Sequence, residues 1–303
     1  MSSILPDRNR SFENPIKQMD MNTLLILIKQ PGSAEKFLRY AMGFGADMKM
    51  NLRVMYVEDP VHYPAGSTEM TGAVAARMQE ELETRVKLGK QQLESTVSAL
   101  MPDEPALGSI QVDAVAGSEN EIIGEMVNEG SIQMVMIRNL DIHFWFRDSR
   151  VKTIARNVKC PVWVIPKQAE YSPFSQVLYT TDYNEEDIST LNRLIELMHA
   201  QNPEITALHV TDDVDFELRI KHAGFQKILE EKTHYARIKA KALVSQKSGD
   251  AMELVNSYAN RIQADLVVVL QENLSFLERL FGHDQATRVL EEANRPVLLF
   301  HES

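Results

Sequence analysis

The sequence predicts an α/β protein: two tandem α/β-sandwich domains, each built on a five-stranded parallel sheet. Three observations point there. Short apolar runs such as Met134-Val135-Met136-Ile137 and Leu266-Val267-Val268-Val269-Leu270 are too continuous for half-exposed strands and suit strands covered on both faces. Each run leads through a loop and an amphipathic helix to a second run, Cys160-Pro161-Val162-Trp163-Val164-Ile165 in one half and Pro296-Val297-Leu298-Leu299-Phe300 in the other. The plan also repeats: Leu24 and Val177 open equivalent strands about 153 residues apart, and Pro161 and Pro296 stand about 135 apart. In open α/β sheets ligands bind outside the carboxyl ends of the strands, so the loops there govern the functional reading.

Residues 1–20 include Pro6, Asp7, Arg8, Arg10, Glu13 and Asp20 and lack an apolar core. They read as a tail and not as a signal peptide. The first domain spans 21–166. Its first strand is 23–28. Pro31-Gly32-Ser33 turns the chain into a helix over about 34–44, with Phe37, Leu38 and Ala41 at helical spacing and Gly45 as the terminator. The second strand, 52–57, ends in Glu58-Asp59-Pro60. A long helix over about 69–100 carries one apolar stripe, Val74, Met78, Leu82, Val86, Leu93, Val97 and Leu100, expected to cover one face of the sheet. Gly89 falls where the stripe expects a side chain. It costs the helix about 1 kcal/mol against alanine, which marks either a close approach to the sheet or a bend. The third strand is 110–116, and Gly117-Ser118 opens a helix over 121–128. A strand at 134–137, a helix at 151–157 and a strand at 160–165 complete the half.

A linker over 167–175, with Ser172 and Pro173, leads to the second domain, 176–303. Its first strand, 177–181, ends at Asp182-Tyr183-Asn184. A helix over 186–200 presents Ile188, Leu191, Leu194, Ile195 and Met198 on one face. A strand at 205–210, a charged helix-prone stretch at about 213–239 and a strand at 242–246 follow. Lys247-Ser248-Gly249-Asp250 turns into a helix over 252–262. A strand at 265–270, a helix at 286–293 and a strand at 296–300 close the chain. The two spacings differ by about 18 residues, an excess assigned mostly to the segment between the second and third strands of the first half.

The composition is that of an ordinary globular protein, 44% hydrophobic and 25% charged over 303 residues. A net charge of −11 argues against a nucleic-acid backbone binder, which needs dense Lys/Arg patches. One cysteine excludes an internal disulfide and a cysteine-based zinc site, and it fits a reducing compartment. No apolar stretch approaches the roughly 20 residues of a membrane span. Cytoplasm is the expected location.

Taken in this order, the features resemble the universal stress protein family in its tandem two-domain form, over essentially all of residues 20–303. The resemblance rests on the strand–helix order and the duplication. It rests also on Leu208-His209-Val210 closing a second strand, Gly117 and Gly249 after third strands, and the openings Cys160-Pro161-Val162 and Arg295-Pro296-Val297. It implies an adenine nucleotide alpha hydrolase-like sheet of order 3-2-1-4-5 and association of domains through their fifth strands. The two halves would then form an intramolecular pseudo-dimer, with a homodimer of the whole chain as a further assembly. Some members bind ATP and others do not. Binders carry an acid at the end of the first strand and a loop of Gly, two residues, Gly, nine residues, Gly-Ser/Thr. Glycines let backbone N–H groups approach the phosphates, and the last pair opens a helix whose N-terminus favours anions.

Both halves depart from that pattern. In the first, the acid position falls at Pro31. The loop from Arg138 to Ser149 has no glycine, is about three residues short and ends in Asp148-Ser149; a carboxylate at a phosphate subsite repels the ligand. His143 and Arg147 flank Phe144-Trp145-Phe146 there, either as a pocket or partner surface or as a loop folded over the sheet edge to fill the site. In the second half Asp182 is kept, the glycine positions become Leu270, Asn273 and His283, and the Ser/Thr becomes Asp284, with Gly282 one residue out of place. Asn273 tolerates a left-handed backbone, which keeps a modified site open to this half.

The candidate ligand-binding residues are therefore Asp182, Val210, Gly249, Leu270, Asn273, His283 and Asp284, with ATP or another adenine nucleotide as the candidate cofactor. Asp182 reads equally as a cap of the following helix, and His283-Asp284 as a polar helix start. His209 and Cys160 read as core packing. The histidines show no metal-ligand spacing. Nucleophile-elbow, Walker and dinucleotide motifs are absent from the sequence. The expectation is a stress-response protein that is not an enzyme, with degenerate nucleotide sites and a regulatory role through a protein partner. The alternative is a small-ligand sensor that binds through the second domain.

Overall fold

The computed structural model describes residues 23–60, 72–101, 107–138, 149–211, 216–245, 251–270 and 295–300. The first half contributes β1 (Thr23–Ile28), α1 (Glu35–Asp47), β2 (Asn51–Glu58), α2 (Gly72–Leu100), β3 (Ile110–Ala116), α3 (Glu119–Asn128), β4 (Met134–Arg138), α4 (Ser149–Asn157) and β5 (Val162–Ile165). The second contributes β6 (Gln176–Thr180), α5 (Glu185–Leu197), β7 (Glu204–Thr211), α6 (Phe216–Thr233), β8 (Ile238–Val244), α7 (Ala251–Arg261), β9 (Leu266–Leu270) and β10 (Val297–Phe300).

The ten strands form one sheet of order β3-β2-β1-β4-β5-β10-β9-β6-β7-β8. Each half thus has the order 3-2-1-4-5 with parallel neighbours. The halves join where β5 and β10 pair antiparallel, Val297 opposite Val164, Leu298 opposite Trp163 and Leu299 opposite Val162. All four residues of β5 and of β10 are buried. A strand in the middle of a two-faced sheet has no solvent side, which is why these runs are apolar without alternation. One core lies on the face covered by α1, α2, α5 and α6 and includes Phe44, Leu93, Leu191 and Phe225. The other, under α3, α4 and α7, includes Ile123, Ile154, Val255 and Tyr258.

Several elements depart from the sequence reading. α1 runs through Gly45 to Asp47. Gly45 is needed for packing instead: a Cβ there would stand 2.7 Å from the Leu52 side chain on β2. The turn out of the helix is made by Lys49, at φ 53. α2 covers the sheet only along its last turns, where Leu93, Val97 and Leu100 are buried, whereas Val74 is 49% exposed. Its 29 residues span roughly 43 Å at a helical rise of ~1.5 Å per residue. An eight-residue strand such as β2 spans only roughly 27 Å, so the helix outruns the sheet. Gly89 does mark a close approach: a Cβ would lie 2.3 Å from the Tyr56 ring of β2.

β8 begins at Ile238, four residues earlier than expected. Lysine and alanine are good helix formers, so the sequence reading ran the preceding helix through Lys239. Here they alternate: Lys239 and Lys241 are exposed while Ile238 is buried and Ala240 and Ala242 are half-buried. α6 stops at Thr233, and His234 takes φ 50. α5 stops at Leu197, short of residue 200, and past its end the N–H groups of Gln201 and Asn202 both turn back to the Met198 carbonyl, at 3.0 Å.

The linker is packed. Phe174 is buried and stacks on Trp163 with ring centroids 5.3 Å apart. Tyr171 meets Tyr40 edge-on at 5.4 Å and donates its hydroxyl to Asp47 at 2.7 Å. The expected helix at 286–293 and the loops at 139–148 and 271–285 lie outside the described residues.

Candidate functional site

At the carboxyl end of β6 the chain reads Thr180-Thr181-Asp182-Tyr183-Asn184. The segment is organised by Asp187 on the first turn of α5. Fully buried, Asp187 accepts the Tyr179 hydroxyl at 2.7 Å, the Thr181 hydroxyl at 2.6 Å and the Asn184 N–H at 3.0 Å. Asn184 is the N-cap of α5, so the helix cap falls there and not on Asp182. Burial pushes the Asp187 carboxyl above the usual carboxylate range, and its hydrogen bonds pull the other way.

Thr181 also accepts the Tyr183 N–H, at 2.9 Å, and Tyr183 takes a left-handed φ of 60. That turn sends its ring across the sheet. It stacks on His209 of β7 with centroids 4.5 Å apart and tilts against Phe225 of α6 at 4.8 Å. Burial pushes the Tyr183 hydroxyl pKa well up, and the hydroxyl is hydrogen-bonded with His222 Nδ1 at 2.7 Å. Burial, and then the charges of Lys241 and His209, hold the His222 imidazole below its ordinary value. His209 donates from Nδ1 to the Thr181 carbonyl at 2.8 Å, and the same nitrogen lies 3.8 Å from Asp182 Oδ1.

Of the sequence-predicted residues, the structure brings Asp182 to this crevice beside His209. Val210 and Leu270 are buried, one in the core under α3, α4 and α7 and the other in the opposite core, so their side chains are committed to packing. Gly249, Asn273, His283 and Asp284 lie outside the described residues. Asp187, Tyr183 and His222 were missed. An N-cap Asn with an acid three residues later is a helix-start signature that could have found Asp187. No local pattern finds Tyr183–His209–His222, which depends on strand register. Cys160 is buried, and burial pushes its thiol up to about 12, so it stays protonated and packs as a small apolar group.

At the equivalent strand ends of the first half, among the described residues, charged side chains bond across the crevice. Lys29 bonds Asp59 across the ends of β1 and β2. Arg138, ending β4, donates to the Ser33 carbonyl at 2.8 Å and the Lys167 carbonyl at 3.2 Å. Arg150 on α4 holds Glu119 through two bonds of 2.7 Å. The space left between Lys29, Gln30, Ser33, Arg138 and Arg150 is about 10 Å³, room for roughly one water. The aromatic stretch at 143–147 lies outside the described residues. Among the described residues, no three His, Cys, Asp or Glu side chains gather to hold a metal, and no helix is long and apolar enough to cross a membrane.

Comparison with known proteins agrees with this architecture. Residues 173–301 match the model of the universal stress protein family. No curated protein matches the chain. Among solved structures, it is similar to a universal stress protein from Archaeoglobus fulgidus, at 13% identity and a TM-score of 0.58, covering 94% of this chain and 98% of that one. It is similar also to a functionally unknown protein from Pseudomonas aeruginosa, at 14% identity and 0.51, with coverage of 93% and 92%. A third likeness is to the cytoplasmic domain of a prokaryotic cation chloride cotransporter, at 13% identity and 0.50, with coverage of 92% and 94%. Identities this low establish the fold. Residues 173–301 are therefore a universal stress protein family domain, and the first half repeats that domain's strand order within the same sheet.

Proposed function

We propose that the chain is a universal-stress-type regulatory or interaction protein in the stress response, and not an enzyme, with nucleotide crevices occupied by its own side chains. The observation that carries this reading is the stack of Tyr183 on His209 at the carboxyl ends of β6 and β7, an aromatic pair in the region where a ligand would sit. The first-half crevice, at about 10 Å³, is far below the several hundred Å³ of small-molecule pockets. The domains are proposed to divide at 21–166 and 176–303. A cytoplasmic location and a homodimer of the chain belong to the same reading.

Thermal-shift titration with ATP, ADP and AMP, with and without magnesium, tests it. A ligand at about 100 times its Kd stabilises by roughly 2.7 kcal/mol, several degrees in Tm for a domain of this size. No shift at millimolar nucleotide is expected, and no ATP turnover above a protein-free blank. A clear shift overturns the proposal in favour of a second reading, an adenine nucleotide or other small-ligand sensor using the second domain. That reading draws on Asp182, which stays at the crevice with its side chain 25% exposed. It requires Asp182→Ala to weaken whatever binding is found.

A further inference from the structure

Among the described residues, β3 and β8 are the outer strands of the ten-stranded sheet, and each has a strand neighbour on one side only. Both are seven residues long. Their apolar side chains stop half-buried: Ile110, Val112 and Val115 on β3, and Ala240, Ala242 and Leu243 on β8. Interior strands such as β5 and β10 are buried throughout. An outer strand presents a row of unpaired N–H and C=O groups that another strand can complete.

The two edges carry opposite charge. Residues 91–137, which hold β3, contain eight Asp or Glu and no Lys or Arg. Residues 216–241, which hold most of β8, contain seven Lys or Arg against three Glu. Alternate strand residues share a face. Asp113 therefore lies on the same face as Val115, which packs on the core under α3, α4 and α7. There it accepts the Arg53 Nε–H of β2 at 2.9 Å. Lys239 and Lys241 share a face with Leu243, which packs on that same core, and Lys239 bonds Glu204 of β7. The acid and the lysines thus lie on one face of one sheet, at its opposite ends.

Strand direction fits as well. Each half is parallel within itself, and the sheet reverses where β5 meets β10, so β3 and β8 run in opposite directions. A second copy displaced along the sheet brings its β3 beside β8 antiparallel, with the helix-covered faces in line. We propose that copies of this chain associate head to tail in this way, β8 of one against β3 of the next. The register that sets Lys239 opposite the next copy's Asp113 also sets Lys241 opposite its Gln111. Charges then alternate across the strands, from Glu204 through Lys239 to the next copy's Asp113 and Arg53, the favourable arrangement for cross-strand neighbours. Like edges repel: β8 against β8 brings Lys239 and Lys241 together, and β3 against β3 brings Asp113 toward its own copy. The lysines turn away a copy of their own edge and admit the acidic one. A contact between unlike edges leaves one of each free, so assembly extends with concentration. This gives the homodimer of the proposed reading its surface and rests on that part of the reading alone.

Sedimentation velocity and light scattering of the full chain test this from micromolar to near-millimolar concentration. The mean mass is expected to rise with concentration. It should fall between roughly 0.05 M and roughly 0.5 M salt, over which the screening length drops about threefold. Asp113→Lys spoils the β3 edge and Lys239→Glu the β8 edge, and each alone should weaken association tenfold or more. Mixed one to one, the two variants should associate again, because each supplies the edge the other lacks; recovery on mixing separates a lost contact from a lost fold. Lys241→Glu, exposed and away from the Lys239–Glu204 bond, should weaken association too, with circular dichroism confirming the fold of every variant. A mass that stays that of the single chain overturns the proposal and removes the homodimer with it. If the chain associates but folded variants associate as tightly, or fail to recover on mixing, the proposal falls and the homodimer stands through another surface. Nucleotide does not enter these measurements.

Discussion

Asp187 draws three donors onto one buried carboxylate, and the backbone of residues 181–184 follows from them. In Asp187→Ala the Tyr179 and Thr181 hydroxyls and the Asn184 N–H all lose their acceptor. An unsatisfied buried donor costs ~1–3 kcal/mol, so a loss of about 3–5 kcal/mol is expected in urea denaturation. A loss below about 1 kcal/mol would show that the network is not what holds the turn. His222 makes a different prediction. Its native pKa is depressed below the ordinary 6.5, so the folded state binds fewer protons than the unfolded state between the two values. Stability therefore rises with pH through that window. It is fully present above about 6.5 and is lost as pH falls through the native value. His222→Asn keeps a hydrogen-bond partner for the Tyr183 hydroxyl and should flatten the fall in urea midpoint between pH 7 and pH 5; an unchanged slope would assign the fall to other groups. The place of Asp182 at a strand end was legible in the sequence. The stack beside it was not, because Tyr183, His209 and His222 meet only through the pairing of β6 with β7 and the packing of α6.

Gly89 on α2 sets two local effects against each other. Alanine gains the helix about 1 kcal/mol over glycine. Its Cβ would, however, fall 2.3 Å from the ring of Tyr56, which is buried and held by a hydrogen bond from its hydroxyl to Glu58. Overpacking of this kind costs ~1–3 kcal/mol, so Gly89→Ala is expected to destabilise despite the better propensity. A higher denaturation midpoint for the variant would mean that α2 can shift away from β2. The glycine's position in the stripe was visible in the sequence, and the structure supplies the ring it approaches. The end of α1 was misread because a glycine that makes room for Leu52 looks, in sequence, like a glycine that ends a helix. The lysine–alanine alternation of β8 was misread because the same residues favour a helix, and only pairing with β7 makes them a strand.

The continuous ten-stranded sheet makes the halves dependent on each other. Each edge strand at the joint has four buried residues, and the aromatic ring set of Phe44, Trp163, Tyr171 and Phe174 ties the linker and β5 to α1. Residues 176–303 expressed alone would expose the apolar edge of β10, which templates pairing with another chain. Light scattering is expected to find dimers or larger species, and a stable monomer at micromolar concentration would count against the joint as the cohesive element. The outer edge at β8 carries exposed Lys239 and Lys241, which discourage the same pairing there.

Apolar continuity and helical spacing were enough to place the strands and helices among the described residues, and the repeat at about 153 residues pointed to a duplication, because those signals are local periodicities of the chain. The resemblance they raised implied the strand order and the joint through fifth strands. The contents of the crevices came from elsewhere. Arg150 meets Glu119 and Arg138 meets Ser33 and Lys167 across long sequence separations, and Tyr40 and Arg295 line one cleft from opposite ends of the chain. Such juxtapositions are set by sheet register and helix packing, which bring together side chains that no local pattern links.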